Sequence, residues 1–229
     1  MIAAGAQQKG IPRTVEVLLS ISGLIASSPL LLITAVLIRV GSKAPVLFRQ
    51  QRVGRGGKLF TLFKFRTMST TQAGPLITAA NDTRVTPIGR VLRKTKIDEL
   101  PELWNVVIGE MSFVGPRPEV PDLVDLDDVR WNEVLSSRPG ITDPVTLSLR
   151  NEERFLSDIP DKEKFYSEVL QPYKLDGYIR YLRKRTFATD IGVLIQTLKA
   201  IVMPHTATPP TPEEMISRRS QNADAPTVC

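Results

Sequence analysis

Val17 to Ile38 is a run of 22 residues without a charged side chain, and nothing else in this chain restricts its fold as much. As a helix it would be roughly 33 Å long at about 1.5 Å per residue, enough to cross the hydrocarbon core of a bilayer. Three arrangements compete. A cleaved leader calls for a shorter apolar core and a small-residue cleavage site, and neither is evident. A spanning helix fits the length but would carry one basic flank across the membrane. Lys9 and Arg13 precede the run, and Arg39, Lys43, Arg49, Arg52, Arg55 and Lys58 follow it, while positive charge favours the cytoplasmic side. In the third arrangement the helix breaks near Ser28-Pro29 and re-enters, because Pro29 removes a backbone donor and crowds the preceding turn. Arms of roughly 18 and 15 Å would then reach about the middle of the bilayer, with the serine hydroxyls available to the freed carbonyls. The flank charges favour this re-entrant form.

The formal net charge of +6 conceals an asymmetry. Residues 1–96 hold 15 Lys and Arg against only Glu16 and Asp82, a net of +13, whereas residues 97–229 carry a net of −7. A basic N-terminal portion points to phosphate, nucleic acid or anionic lipid as partner. The single cysteine is the last residue, Cys229, and the single histidine, His205, lies in a Pro/Thr-rich stretch. This excludes an intrachain disulfide and a cysteine metal cluster and argues against histidine catalysis. Carboxylates, Lys and Arg are left to carry any chemistry.

Residues 45–53 and 58–66 read as two strands around Gly54-Arg55-Gly56-Gly57, a hairpin signature. Strand alternation puts Lys64 and Arg66 on one face, where such residues also commonly protect an edge strand. Residues 69–89 are polar and turn-rich, which predicts a loop. Leu100 to Met111 predicts a helix, and Asp98-Glu99 stands just before it, behind Arg90, Arg93, Lys94 and Lys96. Helix N-termini stabilise carboxylates and bind anions. A carboxylate among cations suits an attack on phosphate. Taken alone, the pair would be read as no more than a helix start, but it does not stand alone. Prolines 116 and 118 bracket Arg117, and Arg138-Pro139-Gly140 makes a second rigid turn. Arginines held in this way match phosphate oxygens bidentately. Phe187, Ile191, Leu194, Ile195, Leu198, Ile201 and Val202 form one helical face after the basic stretch 178–185, suited either to a core or to a membrane interface. From Pro204 onward the composition predicts a weakly ordered tail.

Ser28-Pro29, Lys64-Phe65-Arg66-Thr67-Met68, Asp98-Glu99-Leu100-Pro101 with Trp104-Asn105, Gly115-Pro116-Arg117-Pro118 and Arg138-Pro139-Gly140-Ile141-Thr142 occur in this order over about residues 15–145. The set resembles the monotopic phosphoglycosyl transferases, a bacterial sugar transferase family, in its minimal catalytic form without a multi-helix N-terminal extension. The resemblance implies an α+β fold, mainly helical with a small β-hairpin, a re-entrant membrane helix and interfacial amphipathic helices. The corresponding division is a membrane helix in residues 1–43, a catalytic domain in 44–203 and a tail in 204–229. It implies a Mg²⁺-dependent transfer of a phospho-sugar from a UDP-sugar to polyprenyl (undecaprenyl) phosphate at the cytoplasmic face of the bacterial inner membrane, releasing UMP. Asp98 would be the nucleophile, Glu99 would assist the metal or a proton transfer, and both would be metal ligands. Lys64, Arg66, Arg93, Arg117 and Arg138 would contact phosphate. Membrane lipids are expected partners, nucleic acid is not, and a homodimer is kept open. The competing class is a non-enzymatic, membrane-anchored basic module binding nucleic acid or an acidic partner. Asp143-Pro144 departs from the Gly-Trp that many members carry after the second arginine turn, and so bears on nucleotide and sugar recognition.

Overall fold

A computed structural model of the chain describes residues 10–70, 82–150, 152, 156, 159–203, 210–215 and 217. The apolar run forms α1 (Arg13–Gly41). Its hydrogen-bonded helix continues through Pro29, so the interruption expected at Ser28-Pro29 does not divide the element. The local repair is visible. Pro29 has no N–H to give the carbonyl of Ile25 four residues back, and Ser28 Oγ donates to that carbonyl instead at 2.7 Å. Ser27 Oγ donates to Gly23 O at 2.7 Å in the same way.

Most of the fold is helical. The predicted hairpin is present as β1 (Leu47–Val53) and β2 (Leu59–Phe65), antiparallel, with Leu47 opposite Phe65 and Val53 opposite Leu59. Gly56 and Gly57 supply the left-handed backbone of its turn. The segment expected to be a loop ends earlier than predicted. Thr86 caps Gly89 N, and Pro87 opens α2 (Pro87–Thr95) from the first helical position, which its missing N–H leaves unharmed. The helix expected over 100–111 is shorter, α3 (Glu102–Ile108), bounded by Pro101 and by Gly109 in the left-handed region. Two short strands that the sequence reading passed over, β3 (Ser112–Val114) and β4 (Gly140–Thr142), pair in parallel. They set the two arginine turns back to back. A Cβ on Gly115 or on Gly140 would run into the backbone of the other.

Further helices among the described residues include α4 (Val129–Val134), α5 (Pro144–Ser148), α6 (Lys162–Phe165), a π-helical segment over Tyr166–Leu170, α7 (Gln171–Lys184) and α8 (Phe187–Val202). The largest core cluster gathers Trp131, Val134, Leu149, Leu170, Leu175 and Tyr178, each contributing roughly 1.5–3 kcal/mol by burial. Met215 is buried in it as well. Packing therefore reaches past the boundary drawn at residue 204 from composition; most of the expected tail lies outside the described residues.

The start of α1 is fixed to both halves of the domain. Arg13 donates to Met111 O at 3.2 Å and to the carbonyls of Val106 and Val107 in the last turn of α3. Glu16, fully buried, accepts from Arg13 and from Phe113 N. Just before the helix, Ile11 N–H reaches Asp190, which also holds Arg185 at 2.9 Å and accepts from Tyr181 Oη at 2.6 Å. At the other end Ile38 is buried with Phe65 and Leu92.

Candidate active site

The chain reverses after α2 through Lys96, whose φ of 59° makes it the only non-glycine residue with positive φ among those described. Left-handed backbone is costly for a side chain with Cβ, and here it swings Ile97–Glu99 into one 3₁₀ turn ahead of α3. Asp98 and Glu99 thus sit in that turn and not in the first turn of an α-helix, which corrects the expected anion site at a helix N-terminus. Both face the end of β2.

Glu99 is a hub of cations. Its Oε1 lies 3.1 Å from Lys64 Nζ, 3.3 Å from Arg117 Nη2 and 3.4 Å from Lys96 Nζ. Burial opposes its ionisation, but Lys64, Lys96 and Arg117 outweigh that and hold the carboxyl well below the usual range. Glu102, one helical turn on, is 3.0 Å from the same Lys64 Nζ, an ion pair without hydrogen-bond alignment. Its acidity is weakened by burial first and by Glu99 as a like charge, with Lys64 opposing. Asp98 differs from both. It is 7 % exposed, and its Oδ1 has no hydrogen-bond partner among the described residues. Burial raises its pKa, the Glu99 charge adds to that, and Lys64, Lys96 and Arg93 pull the other way. Here two adjacent carboxylates have been driven apart: Glu99 is neutralised in place, and Asp98 is left with a free lone pair beside cations.

Of the cations expected here, Lys64 and Arg117 meet at Glu99. Arg93 stands nearby, donating from Nε to Thr67 Oγ1 at 3.0 Å and acting on the Asp98 charge. Arg66 turns instead to the sheet base, giving its Nε to Pro45 O at 2.7 Å and lying over the Phe48 ring. Arg138 is not brought to this cluster. It donates to Gly109 O at 2.9 Å, at the opposite end of α3, where burial and then Arg13 and Arg55 lower its pKa. Lys96 and Glu102 belong to the site and were not singled out as site residues from sequence. The spacing of Glu102, three residues after Glu99 and so one turn away, was a readable signal.

Asp143, the departure after the second arginine turn, caps α5. Its Oδ1 accepts from Val145 N at 2.7 Å and Thr146 N at 2.9 Å, with Pro144 in the first turn. It is fully buried and holds its own helix, a structural reason for the residue at that position.

The surface of α1 is inverted relative to a soluble helix. Its fully buried residues include Glu16, Ser20 and Thr34, while Leu18, Ile25, Leu32, Ile33 and Val40 are more than half exposed. Trp104, Ile108 and Val91 and, on α8, Phe187, Leu198 and Val202 are exposed apolar side chains as well. A helix with polar groups inward and apolar groups outward fits lipid surroundings.

Fold and site together define a domain with an apolar-faced helix packed beside a carboxylate-centred cationic site. The chain belongs to the bacterial sugar transferase family, whose family model matches residues 7–204. It is similar to a UDP-N-acetylgalactosamine-undecaprenyl-phosphate N-acetylgalactosaminephosphotransferase of Aeromonas hydrophila, 45 % identical over 199 residues, covering 84 % of this chain and 44 % of that protein. The exopolysaccharide production protein ExoY of Sinorhizobium fredii is 36 % identical over 164 residues, 64 % of this chain and 73 % of that protein. An undecaprenyl-phosphate galactose phosphotransferase of Salmonella typhimurium is 34 % identical over 212 residues, 84 % of this chain and 40 % of that protein. The chain spans less than half the length of the first and third of these relatives.

Proposed function

We propose that this chain transfers a phospho-sugar from a UDP-sugar to polyprenyl phosphate, with Asp98 as covalent nucleophile. The observation that carries this is the contrast between Glu99, saturated by three cations, and Asp98, buried with an unpartnered Oδ1. An Asp98 oxygen forms a bond to the sugar-bearing phosphorus as the bond from that phosphorus to UMP breaks, and UMP leaves with the bonding pair. A phosphate oxygen of the polyprenyl acceptor then attacks the same phosphorus, and Asp98 is released as carboxylate. Splitting one displacement into two lowers each barrier, while Lys64, Lys96 and Arg117 offset the charge on the transferring group. The named activities of the relatives support the same substrates. The cations lining the cluster are already paired with Glu99, which fits a built phosphate site better than a basic module for nucleic acid.

A magnesium ion fits this donor set in part. Mg²⁺ is commonly held by one or two carboxylates together with substrate phosphates, and Asp98 Oδ1 is a buried oxygen awaiting a partner. Glu99 does not fit as a ligand, because its Oε1 faces three cations. When bound, the ion would supply charge neutralisation to the diphosphate. We place the protein on the cytoplasmic face of the membrane, with α1 entering and leaving on that side by bending at Pro29 and not by a break in the helix. The support is that both ends of α1, Glu16 and Ile38, bury against one domain, and that both flanks are basic.

The test is UMP release from a panel of UDP-sugars by the purified full chain, with capture of radiolabelled phospho-sugar on protein. Asp98→Asn should abolish both. Normal turnover in that variant would end the assignment.

A further inference from the structure

Among the described residues no strand pairs with β2 on the side away from β1, and one side chain meets that edge. Asn105 is wholly buried. Its Oδ1 accepts from Phe63 N at 3.2 Å, and its Nδ2 donates to Thr61 O at 2.7 Å and to Glu110 Oε2 at 2.7 Å. These three contacts fix the orientation of the amide, since a flip would set Nδ2 against an N–H and Oδ1 against a carbonyl and a carboxylate. The amide therefore meets the strand as a neighbouring strand would, with one acceptor and one donor at residues two apart.

What lies beside this contact gives it meaning. Lys64 follows Phe63 directly, and Glu102 precedes Asn105 by three residues, on the same side of α3. One face of α3 thus meets β2 twice, through Asn105 with the backbone of Thr61 and Phe63, and through Glu102 with Lys64 Nζ at 3.0 Å. The apolar packing between these elements, Phe60 and Leu62 against Val106 and Met111, presses them together. Such packing is non-directional and tolerates sliding along the strand. The amide, bonded to the backbone of β2 itself, specifies where the strand stands along α3. A slip of one residue along α3 would carry Lys64 about 3.3 Å along the strand and away from Glu99 and Glu102.

We infer that Asn105 is a positioning residue for phosphoryl transfer, setting the register of β2 on α3 that delivers Lys64 to Glu99 and Glu102. This rests on the function proposed above, and the experiment is arranged so that the two can fail separately. Asn105→Asp is isosteric but places a carboxylate oxygen against Thr61 O and Glu110, so both folding and register suffer. Adding Glu110→Gln removes the repulsion and restores a donor to the new carboxylate, yet it cannot restore the bond to Thr61 O. Two quantities are read in the full chain: kcat and KM for UMP release, and the reactivity of Lys64 towards a small acylating reagent, followed by mass spectrometry. The second needs no activity, so it remains informative if no UDP-sugar is turned over.

The expected result is that N105D/E110Q regains most of the melting temperature lost by N105D. Its kcat should stay lower by roughly ten- to a hundredfold, the cost of displacing a catalytic group by about 1 Å, with KM little changed and Lys64 acylated several times faster than in the parent. Recovery of kcat and Lys64 protection along with the melting temperature would overturn the inference and leave Asn105 a fold-stabilising residue only. Failure of both variants to fold would do the same, by showing that the amide is needed for the fold as a whole.

Discussion

Lys64 Nζ lies 3.1 Å from Glu99 Oε1, with the two side chains only 14 % and 11 % exposed. A pair so little hydrated has lost most of its solvation, and removing one member leaves the other charge stranded. Lys64 also serves Glu102 at 3.0 Å, and of the two carboxylates Glu99 keeps Lys96 and Arg117 when the ammonium is removed.

Lys64→Met should therefore destabilise the protein by about 3–5 kcal/mol, seen as a lower melting temperature in detergent. Lys64→Met combined with Glu102→Gln should recover part of this, because Glu102 loses its ion-pair partner with Lys64 whereas Glu99 keeps Lys96 and Arg117. Equal melting temperatures for the single and double variants would show that Glu102 does not share the lysine.

The acid side of the pH–rate profile should report Asp98. Burial and the Glu99 charge raise its pKa, so the protein must lose activity as pH falls at a higher pH than an ordinary aspartate would dictate. Glu99→Gln removes the like charge and frees Lys64, Lys96 and Arg117, and both changes favour ionised Asp98. The acid limb should then move to lower pH. Stability runs in opposite senses for the two groups. Glu99, depressed in the folded state, contributes stability above its unfolded pKa that is lost as pH falls through its folded value. Asp98, raised, makes the fold less stable as pH climbs from its unfolded value towards its folded one.

Arg117 already gives one nitrogen to Glu99 at 3.3 Å and remains 30 % exposed at the side chain. Its guanidinium can thus hold Glu99 and still meet a substrate phosphate. Arg117→Lys keeps the charge but loses the planar fork, and should lower kcat/KM by roughly ten- to a hundredfold, equivalent to about 1.5–3 kcal/mol. Arg117→Ala should lower it further. Parental turnover in both would remove Arg117 from the site.

Ser28→Ala takes away the hydroxyl that satisfies Ile25 O. In lipid no water replaces it, so the helix should lose about 1–3 kcal/mol. Pro29→Leu restores the ordinary helical N–H and should favour a spanning arrangement of α1. Cysteines placed at the N-terminus and after Arg39, in a Cys229→Ser background, can report the side of each flank with an impermeant thiol reagent. Both flanks should be protected in intact cells carrying the parent helix. Labelling of the N-terminal cysteine from outside would show a spanning helix instead.

The hairpin, the apolar helix, Lys64, Asp98, Glu99 and Arg117 were legible in the sequence because each depends on local pattern: alternation, an uncharged run, or a rigid turn. Residues whose position depends on chain reversal were not. Nothing in the sequence marks Lys96 as left-handed, so the carboxylate pair was read as a helix start. Arg138 has the same turn chemistry as Arg117, yet the parallel pairing of β3 with β4 sends it to the far end of α3. That pairing joins residues 28 apart through strands of three, too short to show periodicity. α2 was hidden by the polar stretch before it, although Thr86-Pro87 is a readable start signal.

The contact of Ile11 N–H with Asp190 spans 179 residues of chain, and this has a consequence for biosynthesis. At about 5–20 residues per second, Asp190 leaves the ribosome roughly 10–35 s after Ile11. For most of that interval the apolar helix is complete while its latch does not yet exist. Partners for Arg13 and Glu16 around residues 106–113 arrive about midway. On the proposed topology, α1 therefore reaches the bilayer as an independent element, and the rest of the chain assembles onto a helix already in lipid. A nascent chain stalled before residue 190 should be membrane-bound but open to protease, and synthesis of the α7–α8 junction should be the event that closes it.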